Sequence, residues 1–343
     1  MKNYQEIHIW NFPPTLIYIR LNEGFRKKLF NNLINKLGSQ RKAINFINKS
    51  AKNYGLDRNY RHGNLYSWIE GQKFDRGKIV SINIPLWLLI ELSKLLSDSN
   101  NLYNNIMQLI EVNVESYTSL GNSNSIRNPK LPIIVNPEFV SIIFHFCGDG
   151  HLGNKRDCCS YKQKNKQGLV NVLNKLRNSF GDFNYSKSEF ENYRLNIPKA
   201  ISDIYRYYFN LITLNTFEAR IPNSIKSLPK EFLLAGLCSF IVDEGHIWEV
   251  ITIYSKNRLL LEDIKEITVK CGYKCYDIKK KYARGKLDCY RFSISSSSYN
   301  MLYDNIVGLS KIFQTCSLAH KMKRLENQIR LRKLKIAVVS SVP

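Results

Sequence analysis

The sequence predicts an α/β chain of the α+β kind, with two pseudo-symmetric copies of one unit behind a mainly helical N-terminal domain. The first observation is a repeated helix end. Residues 139–152 read FVSIIFHFCGDGHL and residues 234–247 read LAGLCSFIVDEGHI. Aligning Gly150 on Gly245 sets Asp149 opposite Glu244, His151 opposite His246 and Leu152 opposite Ile247. The second observation is a set of segments at matched offsets beyond each helix end: strand-like Tyr193–Ile197 and Tyr290–Ile294, then Thr216 to Arg220 and Thr315 to Lys321. The third is residues 118–136, rich in Ser, Asn, Gly and Pro, a composition that marks a linker. The expected domains are therefore 1–117, a linker at 118–136, repeats at 137–228 and 229–335, and a tail at 336–343.

Taken in order, residues 1–20 alternate loosely and suit a short arm or strand pair. Residues 22–37 place Phe25, Leu29, Leu33, Ile34 and Leu37 on one helical face. Gly38 stops that helix and Ser39 caps the next. A short helix at 64–71 ends at Gly71. This pair resembles the helix-turn-helix of repressor-like DNA-binding domains, but with a longer gap carrying Arg58, Arg61 and His62. An ordinary helical bundle with basic loops fits equally well. Pro85 opens an apolar helix over 86–96, and another covers 101–112.

In the first repeat, Pro137 opens the helix that ends at Asp149. A strand comes next at 157–165 with Lys162 and Lys164, then a helix at 167–180 with Val170, Leu173 and Leu176 inward. A strand pair at 183–197 and a helix at 200–211 complete it. In the second repeat, 246–255 alternates as a strand and Asn257 caps a helix reaching Lys270. Residues 277–292 form a hairpin turning at Arg284-Gly285 and crowded with Lys279, Lys280, Lys281, Arg284 and Lys286. The basic stretch 320–335 is helical.

The net charge of +23 over 343 residues points to a polyanionic partner. Twenty tyrosines among the lysines and asparagines suit a wet, polar interface better than a membrane surface. No run of about 18 apolar residues is present, and the N-terminus lacks the pattern of a signal peptide. An intracellular location without membrane contact is expected. The cysteines (Cys147, Cys158, Cys159, Cys238, Cys271, Cys275, Cys289 and Cys316) read as buried thiols of a reducing compartment. Cys271, Cys275 and Cys289 could reach a zinc ion, but at no standard spacing.

The small residues Ala235, Gly236, Cys238 and Ser239 allow two helices to approach closely. A carboxylate at a helix C-terminus is electrostatically unfavourable, and a bound cation offsets that cost. GDGHL at 148–152 and LAGLCSFIVDEGHI at 234–247, with the strand and helix patterns after each, resemble the LAGLIDADG homing endonucleases over about 132–335. The resemblance implies two αββαββα repeats forming a saddle, with Asp149 and Glu244 as metal-binding catalytic acids and Gly148 and Asp243 beside the metal. It also implies Mg2+, or Mn2+, as cofactor, and offset matching gives Arg220 and Lys321 as catalytic cations. Duplex contacts are expected from Lys162, Lys164, Arg194, Asn196, Lys279, Lys281, Arg284, Lys286, Arg291 and Lys323. His151 and His246 read as helix-end or phosphate contacts. Two departures stand out: Ile143 and Phe144 replace small residues in the first helix, and Val242 replaces an aspartate in the second.

The implied function is site-specific cleavage of double-stranded DNA at a long asymmetric site. Because the repeats differ, one chain is expected to suffice as a monomer. A non-cleaving transcription regulator or an RNA splicing maturase on the same fold are the alternatives.

Overall fold

The structure, a computed structural model, describes residues 4–73, 79–80, 82–119, 124–151, 159–211 and 217–340, the side chains of 72–73, 79–80 and 335–340 excepted. Leu152, Asp157, Cys158 and Thr216, used in the sequence comparison, lie outside the described residues. The architecture is α+β with antiparallel sheets.

The N-terminal part runs β1 (Gln5–Ile7), β2 (Ile17–Leu21), α1 (Glu23–Leu37), α2 (Gln40–Asn53), α3 (His62–Glu70), β3 (Gln72–Lys73), β4 (Ile79–Val80), β5 (Ile84–Pro85), α4 (Leu86–Leu96) and α5 (Asn100–Val112). Gly38 closes α1 in the left-handed region at φ +82°, and the Ser39 hydroxyl accepts from the Lys42 amide to start α2. Residues 54–61, between α2 and α3, are anchored rather than a free turn. The Asn48 side chain donates to the Tyr60 carbonyl and accepts from its amide. The Tyr60 ring packs on Trp68 and Trp87.

Within 118–136, read as a linker from composition, the described residues are strand-forming. They contribute the end of β6 (Val114–Ser119), β7 (Ile126–Arg127) and β8 (Ile133–Val135). The composition misleads because the few apolar side chains decide the outcome: Ile126, Ile133 and Val135 are all buried. β1 pairs with β8. β11 (Asp182–Phe183), from the first repeat, joins a five-stranded sheet of order β11-β7-β6-β2-β5. The N-terminal strands β2 and β5 and the first repeat's β11 therefore share one sheet.

The first repeat contains α6 (Pro137–Cys147), β9 (Gly150–His151), β10 (Cys159–Lys162), α7 (Lys166–Phe180), β11, α8 (Lys187–Glu191), β12 (Arg194–Ile197) and α9 (Lys199–Phe209), with a three-stranded sheet β12-β10-β9. The strand pair read at 183–197 is thus divided. β11 leaves for the N-terminal sheet, and Ser186 caps α8 by accepting from the Glu189 amide. On α7, Leu173 and Leu176 face inward as expected, whereas Val170 is 39% exposed and Lys175 is fully buried.

α10 (Asn223–Lys226) closes the first repeat, and the second contains α11 (Lys230–Glu244), β13 (Gly245–Ile247), β14 (Ile251–Ser255), α12 (Arg258–Lys270), β15 (Lys279–Ala283), β16 (Lys286–Ile294), α13 (Tyr299–Ile312) and α14 (Met322–Ser340), which runs on into the tail. Its sheet has the order β13-β14-β16-β15. The single strand read at 246–255 is a hairpin, because Trp248 to Val250 turn back on themselves and the Trp248 amide donates to the Val250 carbonyl. Asn257 caps α12 through the Leu260 amide. Arg284 and Gly285, both at positive φ, make the turn between β15 and β16.

α6 and α11 pack side by side at the centre. Glycine is required at 236, since a Cβ there would enter the Phe144 ring. The bulk of Phe144, a departure from small-residue packing, is thus absorbed by the opposite helix. Among the described residues no helix is long and apolar enough to cross a membrane.

Candidate metal and nucleic-acid site

The closely packed α6 and α11 end together, and their carboxylates gather there. Burial pushes the Asp149 carboxyl up to about 7, and the charge of Asp243 adds to the shift, while Lys321 and Lys164 oppose it. Glu244 is likewise pushed to about 7 by burial, then by Asp149 and Asp243. Lys321 is the cation placed among them. Its Nζ donates to the carbonyls of Ile241 at 2.9 Å and Gly245 at 2.5 Å, closing the last turn of α11. Burial lowers the Lys321 pKa, while Asp243, Asp149 and Glu244 pull it back up.

Asp243 belongs to α11 but serves the first repeat. Its Oδ1 accepts from the Tyr161 hydroxyl at 2.5 Å and from Gln163 Nε2 at 3.5 Å. Its Oδ2 lies 2.9 Å from His145 Nδ1, and the Asp149 backbone amide donates to it as well. A carboxylate has about four acceptor positions. Asp243 is therefore occupied by protein donors, contrary to its expected place beside a metal. Gly148 makes room for it, since a Cβ there would lie 2.8 Å from Asp243 Oδ2.

Behind Asp243 a buried chain continues. Lys175 Nζ lies 2.7 Å from Ser239 Oγ and 3.1 Å from His145 Nε2. An ammonium has no acceptor, so Nε2 accepts and the imidazole proton sits on Nδ1, facing Asp243. Burial, then the Lys175 charge, holds the His145 pKa well below the usual imidazole range, keeping the ring neutral. Gln163 Nε2 also donates to Asp149 Oδ2 at 3.2 Å, tying the first acid to this network.

Arg220, expected beside the acids, is committed elsewhere. Its Nε and Nη2 hold Asp263 of α12 at 2.6 and 2.8 Å, and the Ile221 amide and Lys226 bind the same carboxylate. A bidentate pair with a buried partner outweighs the offset match that suggested catalysis. Cys271, Cys275 and Cys289 do not converge: among the described residues no three His, Cys, Asp or Glu side chains are grouped to hold a metal.

Most of the expected duplex contacts lie on sheet strands, whereas Lys164 follows β10, Arg284 sits in the turn between β15 and β16, and Lys323 lies on α14. Directly paired residues of antiparallel strands share a face. In the second repeat one face carries His246, Thr252, Ser293, Tyr254, Arg291 and Lys279. The other carries the buried Ile251, Ile253, Phe292 and Ile294. In the first repeat His151, Ser160 and Asn196 pair across one face, as do Lys162 and Arg194. Arg194 Nε and Asn196 Oδ1 are buried without a hydrogen-bond partner. Lys279, Lys281, Arg284, Lys286, Arg291, Lys162, Lys164 and Lys323 are all exposed. The Lys281 ammonium lies 5.1 Å above the Tyr254 ring.

Sequence reasoning missed His145, Tyr161, Gln163 and Lys175. One signal was present: a lone histidine within the apolar run FVSIIFHFC.

Together these features define an α+β protein with acids gathered where two packed helices end and exposed basic residues on and beside its antiparallel sheets. No family model matches the chain, and no curated protein does. Among solved structures it is similar to mesophilic variants of the homing endonuclease I-DmoI, at 15% identity over 50% of this chain and 96% of that one, with a TM-score of 0.33. It is likewise similar to I-DmoI in complex with DNA and Mn, at 17% identity over 50% of this chain and 98% of that one, again at 0.33. Likeness at that level leaves the function to this chain's own residues.

Proposed function

We propose that the chain is a site-specific, divalent-metal-dependent endonuclease of the homing type acting on double-stranded DNA as a monomer, its two repeats forming a saddle over the duplex. The carrying observation is the gathering of Asp149 and Glu244 at the junction of α6 and α11, both carboxyls pushed up to about 7 by burial and then by neighbouring carboxylates, Asp243 acting on Asp149, and Asp149 and Asp243 acting on Glu244. Such a pair gains from a bound cation at neutral pH. Magnesium is commonly held by one or two carboxylates, with water and substrate phosphate completing its shell, so two acids without a third side chain fit it. Asp149 and Glu244 would each hold an ion, one at each of two centres. When bound, it supplies an activated water and neutralises charge on the transferring phosphate.

This chain's residues do the rest. Gln163 fixes the Asp149 carboxylate, and Lys321 sets a positive charge where phosphate charge develops. The open sheet faces seat the duplex: Lys279, Lys281, Arg284 and Lys286 contact phosphates, and Arg194, Asn196, Arg291 and Ser293 are available to base edges. In this reading Arg220 is not catalytic.

A second reading is a non-cleaving DNA-binding regulator. The observation favouring it is Lys321, already placed as a cation among the three acids. The test is to incubate the chain with duplex fragments from its own gene neighbourhood in Mg2+ or Mn2+. Double-strand cleavage at one site supports the endonuclease. Specific binding without any cleavage transfers the proposal to the regulator.

A further inference from the structure

The acids at the two helix ends are held in very different ways. Asp149 receives Gln163, and its own amide donates to Asp243. Asp243 is in turn held by Tyr161 and by the buried pair His145 and Lys175, with Lys175 also bridging to Ser239 on α11. Glu244 makes no hydrogen bond to any described side chain or amide; the groups acting on it are Asp149, Asp243 and Lys321, through charge alone.

The repeat makes the contrast sharp. Aligned on Gly150 and Gly245, His145 corresponds to Phe240. By strand register, Tyr161 faces Gly150 as Ile253 faces Gly245. Counting from the capping residues Asn165 and Asn257, Lys175 corresponds to Ile267. Asp243 corresponds to Gly148, the residue it packs against. His145, Tyr161 and Lys175 of the first repeat thus have apolar counterparts in the second, Asp243 of α11 has a glycine as its counterpart in the first, and Gln163 corresponds to the shorter polar Ser255. A buried lysine, histidine and aspartate cost stability relative to apolar packing unless their geometry is complete. Here each is bonded, so the set specifies a position.

We propose that Asp243, clamped by His145 and Lys175, is a positioning residue for Asp149 alone, so that the chain carries one rigid and one loose metal-binding acid. This rests on the endonuclease reading. Partners outside the metal shell that orient a ligand typically contribute about 10–100-fold in metal affinity. The loose acid has no such support.

The test uses the full chain and two variants, Asp243→Asn, which is isosteric, and His145→Phe, which installs the residue the second repeat already carries. Mn2+ binding is followed by calorimetry, and amide hydrogen exchange is followed without metal. The expected result is a loss of about 10–100-fold at one of two Mn2+ sites, with the other unchanged in His145→Phe; in Asp243→Asn the other also feels the lost Asp243 charge, and the unequal weakening of the two sites is the readout. Exchange should accelerate in β9, β10 and Gln163 and hold steady in β13 and β14. Equal weakening of both sites, or an unchanged isotherm, overturns the inference while leaving the endonuclease reading standing. A wild-type chain that binds no Mn2+ brings down both.

Discussion

The two repeats share a plan and differ in what completes them. The second is self-contained: α11, β13, β14, α12, β15, β16 and α13 close a four-stranded sheet within the repeat. Among the described residues the first keeps three strands for itself and gives β11 to the sheet built on β7, β6 and β2. Its helix junction is polar and fully bonded, whereas the second repeat sets Phe240, Ile253 and Ile267 at the matching places. One ancestral pattern can thus be stabilised by a neighbouring sheet and a buried polar clamp, or by its own hairpin and an apolar core. The first route ties the N-terminal segment to the first repeat; the second leaves a long basic hairpin exposed.

The largest expected effect comes from the shared sheet. A chain lacking residues 1–113 loses β2 and β5 and leaves β6 as an unpaired edge. It is expected to be insoluble or to lose cooperative melting by circular dichroism. An intact, cooperatively melting fragment would restore the linker reading of 118–136.

Lys321 acts on both sides of the junction. Lys321→Met should slow cleavage of both strands alike, by about 10²–10³-fold, in a strand-labelled assay. Slowing of one strand only would assign Lys321 to a single centre.

The hairpin belongs to the second repeat alone. Replacing Lys279, Lys281 and Arg284 by Ala should weaken duplex binding and reduce the slope of log affinity against log salt by roughly one per lost phosphate contact. An unaltered slope would make this cationic face a solvated surface.

The smallest effect is on stability. The Asp149 carboxyl is raised in the folded chain to about 7, above its unfolded value. The folded state therefore binds more protons across that window, and this group's contribution falls as pH rises from ~4 to ~7. Asp149→Asn removes the loss. In metal-free buffer its melting temperature should equal or trail wild type near pH 4 and exceed it at pH 8 by about 2 °C or more. A difference independent of pH would contradict the raised carboxyl.

Much of the frame was legible because it is written locally. Gly38, Ser39, Asn257 and Arg284-Gly285 act on their own neighbours, and the matched Asp149 and Glu244 need only two aligned helices to be found. The features that escaped depend on distant partners. Lys175 on an amphipathic helix reads as solvent-facing until His145 and Ser239 close over it from two other helices. Arg220 matched by offset, yet Asp263, on a helix that reads as merely capped and amphipathic, takes it. Ile126, Ile133 and Val135 sit in a stretch whose composition reads as a linker, and the strands they form pair with Phe183 and with Gln5–Ile7, far away in sequence.

The most direct test of the paired-acid centre compares wild type with Asp149→Asn and Glu244→Gln on the selected duplex in Mg2+ or Mn2+, tracking cleavage of each strand and duplex affinity together. Both variants should lose cleavage by about 10²-fold or more while binding the duplex as tightly as wild type or more so, since each removes a negative charge facing phosphate. Cleavage at the wild-type rate by both variants would contradict the assignment of Asp149 and Glu244.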